Sequence, residues 1–268
     1  MSVHALIFDV DGTMADTEEA HRTAFNLAFE RYRMGWVWSR AEYRELLTVT
    51  GVKERITTYI HSLKAAPAEQ KRLLAMVPDI HAEKTRFYSS VVSDGAVPLR
   101  SGVQRLLDEA LSAGCRLAIA STTTAVNIDA LLQATLGTRG LEMFSVIACG
   151  DQVRAKKPAP DIYQLALNHL GLHAEQAVAF EDSPNGLRSA VAAGLWTVVT
   201  PTYWTEGGDF SAAGLLLPDL GDPALPVPGE PGGQLQSAGW LTFEELMRRV
   251  APARAPSAVQ ALYKGGAR

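Results

Sequence analysis

The sequence predicts an α/β fold: a doubly wound parallel sheet of Rossmann-like type with an inserted helical cap. Three observations lead there. Short apolar runs stop abruptly at polar residues, as buried parallel strands do at their C-terminal ends. Helical patterns closed by glycine lie between those runs. One long stretch near the N-terminus breaks that alternation with helices alone.

Residues 4–8 (HALIF) form the first strand and end at Asp9. Residues 17–94 follow without an obvious strand and read as a cap, which leaves 1–16 and 95–250 as the core. Gly102–Ala113 carries Val103, Leu106, Leu107, Ala110 and Leu111 at helical spacing, with Gly114 as its stop. Further strands are expected at Arg116–Ala120, Val146–Cys149, Ala177–Phe180 and Thr197–Thr200, with an edge strand at Leu215–Leu217. Helices at Asp161–Leu170 and Asn185–Ala193 stop at Gly171 and Gly194. The Pro/Gly-rich stretch 218–239 reads as a loop. A closing helix over Thr242–Val250 opens on a Thr242/Glu245 capping box, and 251–268 reads as a flexible tail.

The 268 residues are 47% hydrophobic and 20% charged, enough to bury a sizeable core. A net charge of −4 argues against general nucleic-acid binding. No apolar run is long enough to span a membrane. The apolar start is cut by Asp9 and Asp11 and has no basic region before it, so it does not read as a signal peptide. Cys115 and Cys149 are too few for a disulfide framework. A cytoplasmic monomer with reduced thiols is expected. Residues 17–94 hold 12 Lys and Arg against 10 Asp and Glu, and the remainder 13 against 19. A cationic cap over an acidic core suits an anionic small molecule held between them.

Four segments at expected strand ends carry chemistry. In Asp9-Val10-Asp11-Gly12-Thr13, two carboxylates two residues apart repel each other unless a cation sits between them. Asp9 suits a nucleophile, Asp11 an acid/base, and Gly12 a sharp turn. The hydroxyls and N–H groups of Ser121, Thr122, Thr123 and Thr124 can hold phosphoryl oxygens. One lysine of Lys156-Lys157-Pro158 can neutralise charge around Asp9. Glu181-Asp182-Ser183 offers a carboxylate that completes a Mg²⁺ site with Asp9.

Taken in this order, DVDGT, the Ser121/Thr122 segment, Lys157 before proline, and EDSPNG resemble the haloacid-dehalogenase-like superfamily of phosphohydrolases. The resemblance covers roughly residues 4–205. It implies an aspartyl-phosphate on Asp9, acid/base work by Asp11, and phosphoryl contacts from Ser121 and Lys157. It also implies Mg²⁺ on Asp9, the backbone carbonyl of Asp11, and Asp182 or Glu181. The second aspartate favours phosphoryl transfer over dehalogenation.

Within that superfamily the cap stretches DGTMADTEEAHRTAFN, EYRELLTVTGVKERI and DIHAEKTRFY resemble phosphatases of the β-phosphoglucomutase-like subgroup that act on xylulose-1,5-bisphosphate. That resemblance implies substrate contacts from Glu18, His21 and Arg22, from Lys53, Glu54 and Arg55, and from His81 and Lys84. Lys53, Arg55 and Arg22 suit a distal phosphate, and His81 and Lys84 share one helical face. Val52 departs from the glycine common at that turn, and 218–239 has no counterpart. Trp36 and Trp38 read as cap packing, and His61 as surface. Rival readings are a mutase that returns the phosphoryl group to sugar, a phosphatase for another small sugar phosphate, and an idle binding module.

Overall fold

The computed structural model describes residues 2–95, 97–227, 235 and 239–253. Among them are six strands, all paired in parallel: β1 (Ala5–Phe8), β2 (Arg116–Ala120), β3 (Phe144–Ala148), β4 (Ala177–Glu181), β5 (Trp196–Val199) and β6 (Leu215–Leu216). Their order is β3-β2-β1-β4-β5-β6, which places β1 at the centre. Expected and observed strand ends differ by no more than two residues, and the weak sixth run is the edge strand.

Alternation along β1 sorts side chains to two faces. Leu6 and Phe8 join one apolar layer with helices α6 (Val103–Ser112) and α7 (Ala125–Leu136). Ala5 and Ile7 join the other with α9 (Asp161–Leu170) and α10 (Pro184–Ala192). Five helices intervene between β1 and α6: α1 (Glu18–Arg31), α2 (Arg40–Leu46), α3 (Val52–Ser62), α4 (Pro67–Ala75) and α5 (Val77–Ser93). They enclose a third cluster around Phe25, Phe29, Trp38, Tyr43 and Ile56, all fully buried. Trp38 packs edge-on against Phe29 at 4.8 Å, as its reading from sequence requires. His61 is exposed.

The chain leaves the sheet for α1 and returns from α5 at one place. Arg100 N donates to Met14 O at 2.8 Å, and Ala15 bridges Leu99 in antiparallel fashion. The Arg100 guanidinium then donates to the carbonyls of Gly12, Thr200, Pro201 and Pro218.

A short helix α8 (Thr138–Glu142) precedes β3, and α11 (Phe243–Ala253) closes the described chain. Thr242 Oγ1 accepts from Glu245 N at 3.1 Å, the first half of the expected cap, while Glu245 also holds Arg249 at 2.7 Å. The helix runs three residues into the expected tail. Residues 254–268 and most of 228–238 lie outside the described residues.

Candidate active site

Strand register assembles the site. β1 pairs Phe8 with Phe180 of β4 and with Ile119 of β2. The rings of Phe8 and Phe180 stack at 4.3 Å. Asp9 and Glu181 therefore emerge side by side, one residue beyond the stacked pair. Ser121 follows two residues beyond Ile119. All three stand at C-terminal strand ends, where an open parallel sheet binds its ligands.

Asp9, Glu181 and Asp182 are buried, and each presents an oxygen within 4.8 Å of the others. Lys157 is 5% exposed and divides its ammonium between Asp9 Oδ1 at 2.7 Å and Glu181 Oε1 at 2.6 Å. Tyr163 also donates to Glu181 Oε1, at 2.5 Å. Glu181 Oε2 has no hydrogen-bond partner. Burial pushes the Asp9 carboxyl up to about 8, with Glu181 and Asp11 adding to the rise and Lys157 opposing it. Burial, then Asp9 and Glu181, drives Asp182 well above the carboxylate range. Against its own burial, Lys157 is held above the ordinary lysine range by Asp9 and Glu181. Asp9 and Glu181 share one ammonium with Asp182 beside them, and an all-oxygen donor set with an unpaired oxygen fits a hard divalent cation.

Gly12 makes the turn after Asp11 possible. Its φ is +83°, and a Cβ there would lie 2.2 Å from Asp182 Oδ2. Asp11 is turned away from the carboxylate group. Its Oδ1 accepts from Thr17 Oγ1 at 2.7 Å and faces His21 Nε2 at 2.9 Å. Burial opposes its ionisation, but His21 and Thr17 together hold Asp11 below the usual carboxylate range. His21 Nδ1 in turn lies 2.5 Å from Lys84 Nζ. One tautomer satisfies both contacts: Lys84 donates to Nδ1, and Nε2–H donates to Asp11.

A cleft of about 400 Å³ opens over this centre. Of the candidate site residues, Asp9, Asp11, Glu18, His21, Arg55, Ser121, Thr122, Thr123, Lys157 and Asp182 line it. Arg22, Lys53, Glu54, His81, Lys84 and Glu181 do not. Arg22 is taken up by Glu19 and the carbonyl of Trp38. Lys53 and Glu54 are exposed on the first turn of α3. His81 is half-buried, and burial followed by Lys53 and Lys84 lowers its proton affinity. Lys84 is fully buried behind His21.

The sequence reading did not include Thr17, Tyr43, Asn185 and Trp204. Tyr43 OH donates to Glu18 Oε2 at 2.7 Å and accepts from Arg55 Nη1 at 3.1 Å. Burial, then Glu18, pushes the Tyr43 hydroxyl well above its usual range, so it remains a donor. Asn185 Nδ2 reaches from α10 to Thr48 O at 3.1 Å and Thr50 Oγ1 at 2.9 Å, fixing the turn before α3. Asn185 was legible as part of EDSPNG but carried no signal of a partner some 135 residues away.

Residues 6–200 match the model of the haloacid dehalogenase-like hydrolase family. The chain belongs to the haloacid dehalogenase-like hydrolases. Among these hydrolases it is similar to CbbY of Rhodobacter capsulatus, 49% identical over 82% of this chain and 95% of that protein. It is 32% identical to a phosphorylated carbohydrates phosphatase of Thermotoga maritima, over 72% of this chain and 82% of that one. A crystal structure of a CbbY mutant from Rhodobacter sphaeroides in complex with xylulose-(1,5)bisphosphate superposes with a TM-score of 0.76. That match has 46% identity over 83% of this chain and 98% of the other. The hydrolase fold, the family and these relatives make the chain an enzyme of the phosphatase type. Among the described residues no helix is long and apolar enough to cross a membrane.

Proposed function

We propose that this enzyme is a Mg²⁺-dependent sugar-phosphate phosphatase that converts xylulose-1,5-bisphosphate to xylulose 5-phosphate through an aspartyl-phosphate on Asp9. The observation that carries the reading is the group of Asp9, Lys157 and Asp182, backed by Glu181, at the floor of a cleft whose wall includes Arg55. The choice of substrate is supported by the similarity to the CbbY mutant whose crystal structure holds xylulose-(1,5)bisphosphate.

In the first step an Asp9 carboxylate oxygen attacks phosphorus, an Asp9 O–P bond forms, and the bond from phosphorus to the sugar oxygen breaks. Asp11 delivers the proton that the sugar oxygen needs. Asp11 is held ionised in the structure. A phosphate dianion beside it raises its proton affinity, and a proton reaches it from His21 Nε2 at 2.9 Å as Lys84 Nζ passes one to His21 Nδ1 at 2.5 Å, which leaves His21 neutral. In the second step ionised Asp11 takes a proton from water as that water attacks the aspartyl-phosphate. Lys157 and Ser121, which line the cleft beside Asp9, stabilise the charge that gathers on the phosphoryl oxygens. Asp9 and Asp182, with Glu181 and the Asp11 carbonyl beside them, would hold Mg²⁺, which screens the repulsion between carboxylate and phosphate. Arg55 and Glu18 face the part of the substrate beyond the reacting phosphate.

The deciding experiment is a Mg²⁺-supplemented assay of phosphate release from xylulose-1,5-bisphosphate, β-glucose 1-phosphate and para-nitrophenyl phosphate. The expected result is preferred release from the bisphosphate. Isomerised sugar phosphate without free phosphate would instead establish a mutase. No turnover of any substrate would remove the catalytic reading.

A further inference from the structure

Trp204 follows β5 and belongs to the sheet in sequence, yet it is 4% exposed inside the apolar cluster of the α1–α5 helices. Every other buried member of that cluster comes from residues 25–80. The indole meets the ring of Tyr43 edge-on, with centroids 5.6 Å apart and planes at 84°. The hydroxyl of that same Tyr43 joins Glu18 to Arg55. Glu18 and Arg55 face the cleft, whereas Tyr43 is fully buried behind them.

The loop that presents Trp204 is built to stay in one shape. Thr202 O accepts from Thr205 N at 3.1 Å and Glu206 N at 2.8 Å, and Thr202 Oγ1 accepts from Trp204 N at 3.2 Å. Its outer face grips α2. The Arg40 guanidinium lies 4.8 Å from the Tyr203 ring and 5.2 Å from the Trp204 ring, and Arg44 Nη2 donates to Glu206 O at 2.8 Å. Its root is tied to the chemistry, because Arg100 donates both to Thr200 O at 2.6 Å and to Gly12 O in the Asp9–Asp11 turn.

We propose that Trp204 is a positioning residue for substrate recognition, a peg from the sheet that fixes Tyr43 and through it the aim of Arg55 and Glu18. Trp204 also lines the cleft on the wall that holds Glu18 and Arg55. Its effect falls on the part of the substrate beyond the reacting phosphate, so it governs the preference for sugar bisphosphates over simple phosphate monoesters. This inference rests on the sugar-bisphosphate reading of the cleft.

The test compares wild type, Trp204→Ala and Trp204→Phe. Loss of a fixed aromatic contact behind a charge-assisted hydrogen bond should lower kcat/KM for xylulose-1,5-bisphosphate about 10-fold or more. The loss on para-nitrophenyl phosphate should be smaller, and the Phe variant should recover most of the bisphosphate activity. Adding Trp204→Ala to Arg55→Ala should cost less than the two single losses combined, since both act on the aim of Arg55. Equal losses on the two substrates, or full additivity of the two substitutions, overturn the proposal. A wild type that hydrolyses para-nitrophenyl phosphate but not the bisphosphate defeats the substrate reading instead. The peg is then judged by hydrogen exchange. Trp204→Ala should speed exchange across residues 40–55 while β1, β2, β4 and β5 keep their protection, and unchanged exchange there overturns the proposal.

Discussion

Lys84 places its Nζ 2.5 Å from His21 Nδ1, and both side chains are almost wholly withdrawn from water. The rings of Phe25 and Tyr88 flank the ammonium at 5.2 and 4.8 Å. Burial lowers the Lys84 ammonium to about 7; Asp11 and Glu18 pull the other way and Arg55 adds to the fall.

Lys84→Met should therefore change how stability depends on pH. Between pH 7 and about 10.5 the unfolded chain holds a proton on Lys84 that the folded chain has released. Lys84 thus makes wild-type stability rise with pH over that window, and its cost to the fold is greatest at and below pH 7. The stability of Lys84→Met relative to wild type should be higher at pH 7 than at pH 9.5, by urea unfolding at each pH. A gap that does not change with pH would show that Lys84 is not buried as a displaced base.

Asp9→Asn should abolish turnover with the fold intact. An amide fills the same space but is no nucleophile. The loss should be on the order of 10³-fold or more in kcat, as for other catalytic groups. The check is single-turnover kinetics beside thermal unfolding, in protein verified free of deamidation. More than a tenth of wild-type rate in Asp9→Asn would remove Asp9 from the role.

Mg²⁺ should raise the melting temperature, and Asp182→Ala should weaken that response. The motive is the burial of three clustered carboxylates, Asp9, Glu181 and Asp182, of which Lys157 pairs with the first two. A cation relieves like-charge repulsion only in the folded state and so stabilises by mass action. Mg²⁺ titrations followed by calorimetry read this without substrate. Full activity in excess EDTA would contradict it.

Arg55→Ala should reduce kcat/KM for xylulose-1,5-bisphosphate much more than for para-nitrophenyl phosphate. A charge-assisted hydrogen bond contributes about 1.5–3 kcal/mol, roughly 10- to 150-fold. Arg55 is 8% exposed, and its guanidinium is held by Leu46 O at 3.2 Å and Tyr43 OH at 3.1 Å, so its aim is set before substrate arrives. Equal losses on both substrates would assign Arg55 to the fold rather than to recognition.

The sheet and the floor of the cleft were legible because each signal is local. An apolar run ending in DVDGT states both a strand and what stands at its tip. The wall of the cleft was harder to read because its contacts are distant in sequence. Tyr43 looks like one more apolar residue of an amphipathic helix, and nothing near it announces Glu18 or Arg55. Trp204 sits in a loop with no periodic pattern. Arg22 and Lys84 stand out in the sequence by their charge, but charge does not say what claims it. Glu19 and the Trp38 carbonyl occupy Arg22, and α1 covers Lys84.

The contact of Ala15 with Leu99, reinforced by Arg100 N on Met14 O, has a meaning for how such enzymes diversify. The two ends of the intervening helices meet, so to the rest of the chain they amount to a closed loop. Closing a longer loop costs only about 0.6 kcal/mol per doubling of its length. Selection can lengthen, shorten or exchange that excursion while the strand register that sets Asp9 beside Glu181 stays as it is. New substrates are thus reached by remodelling the walls over an unaltered chemical floor.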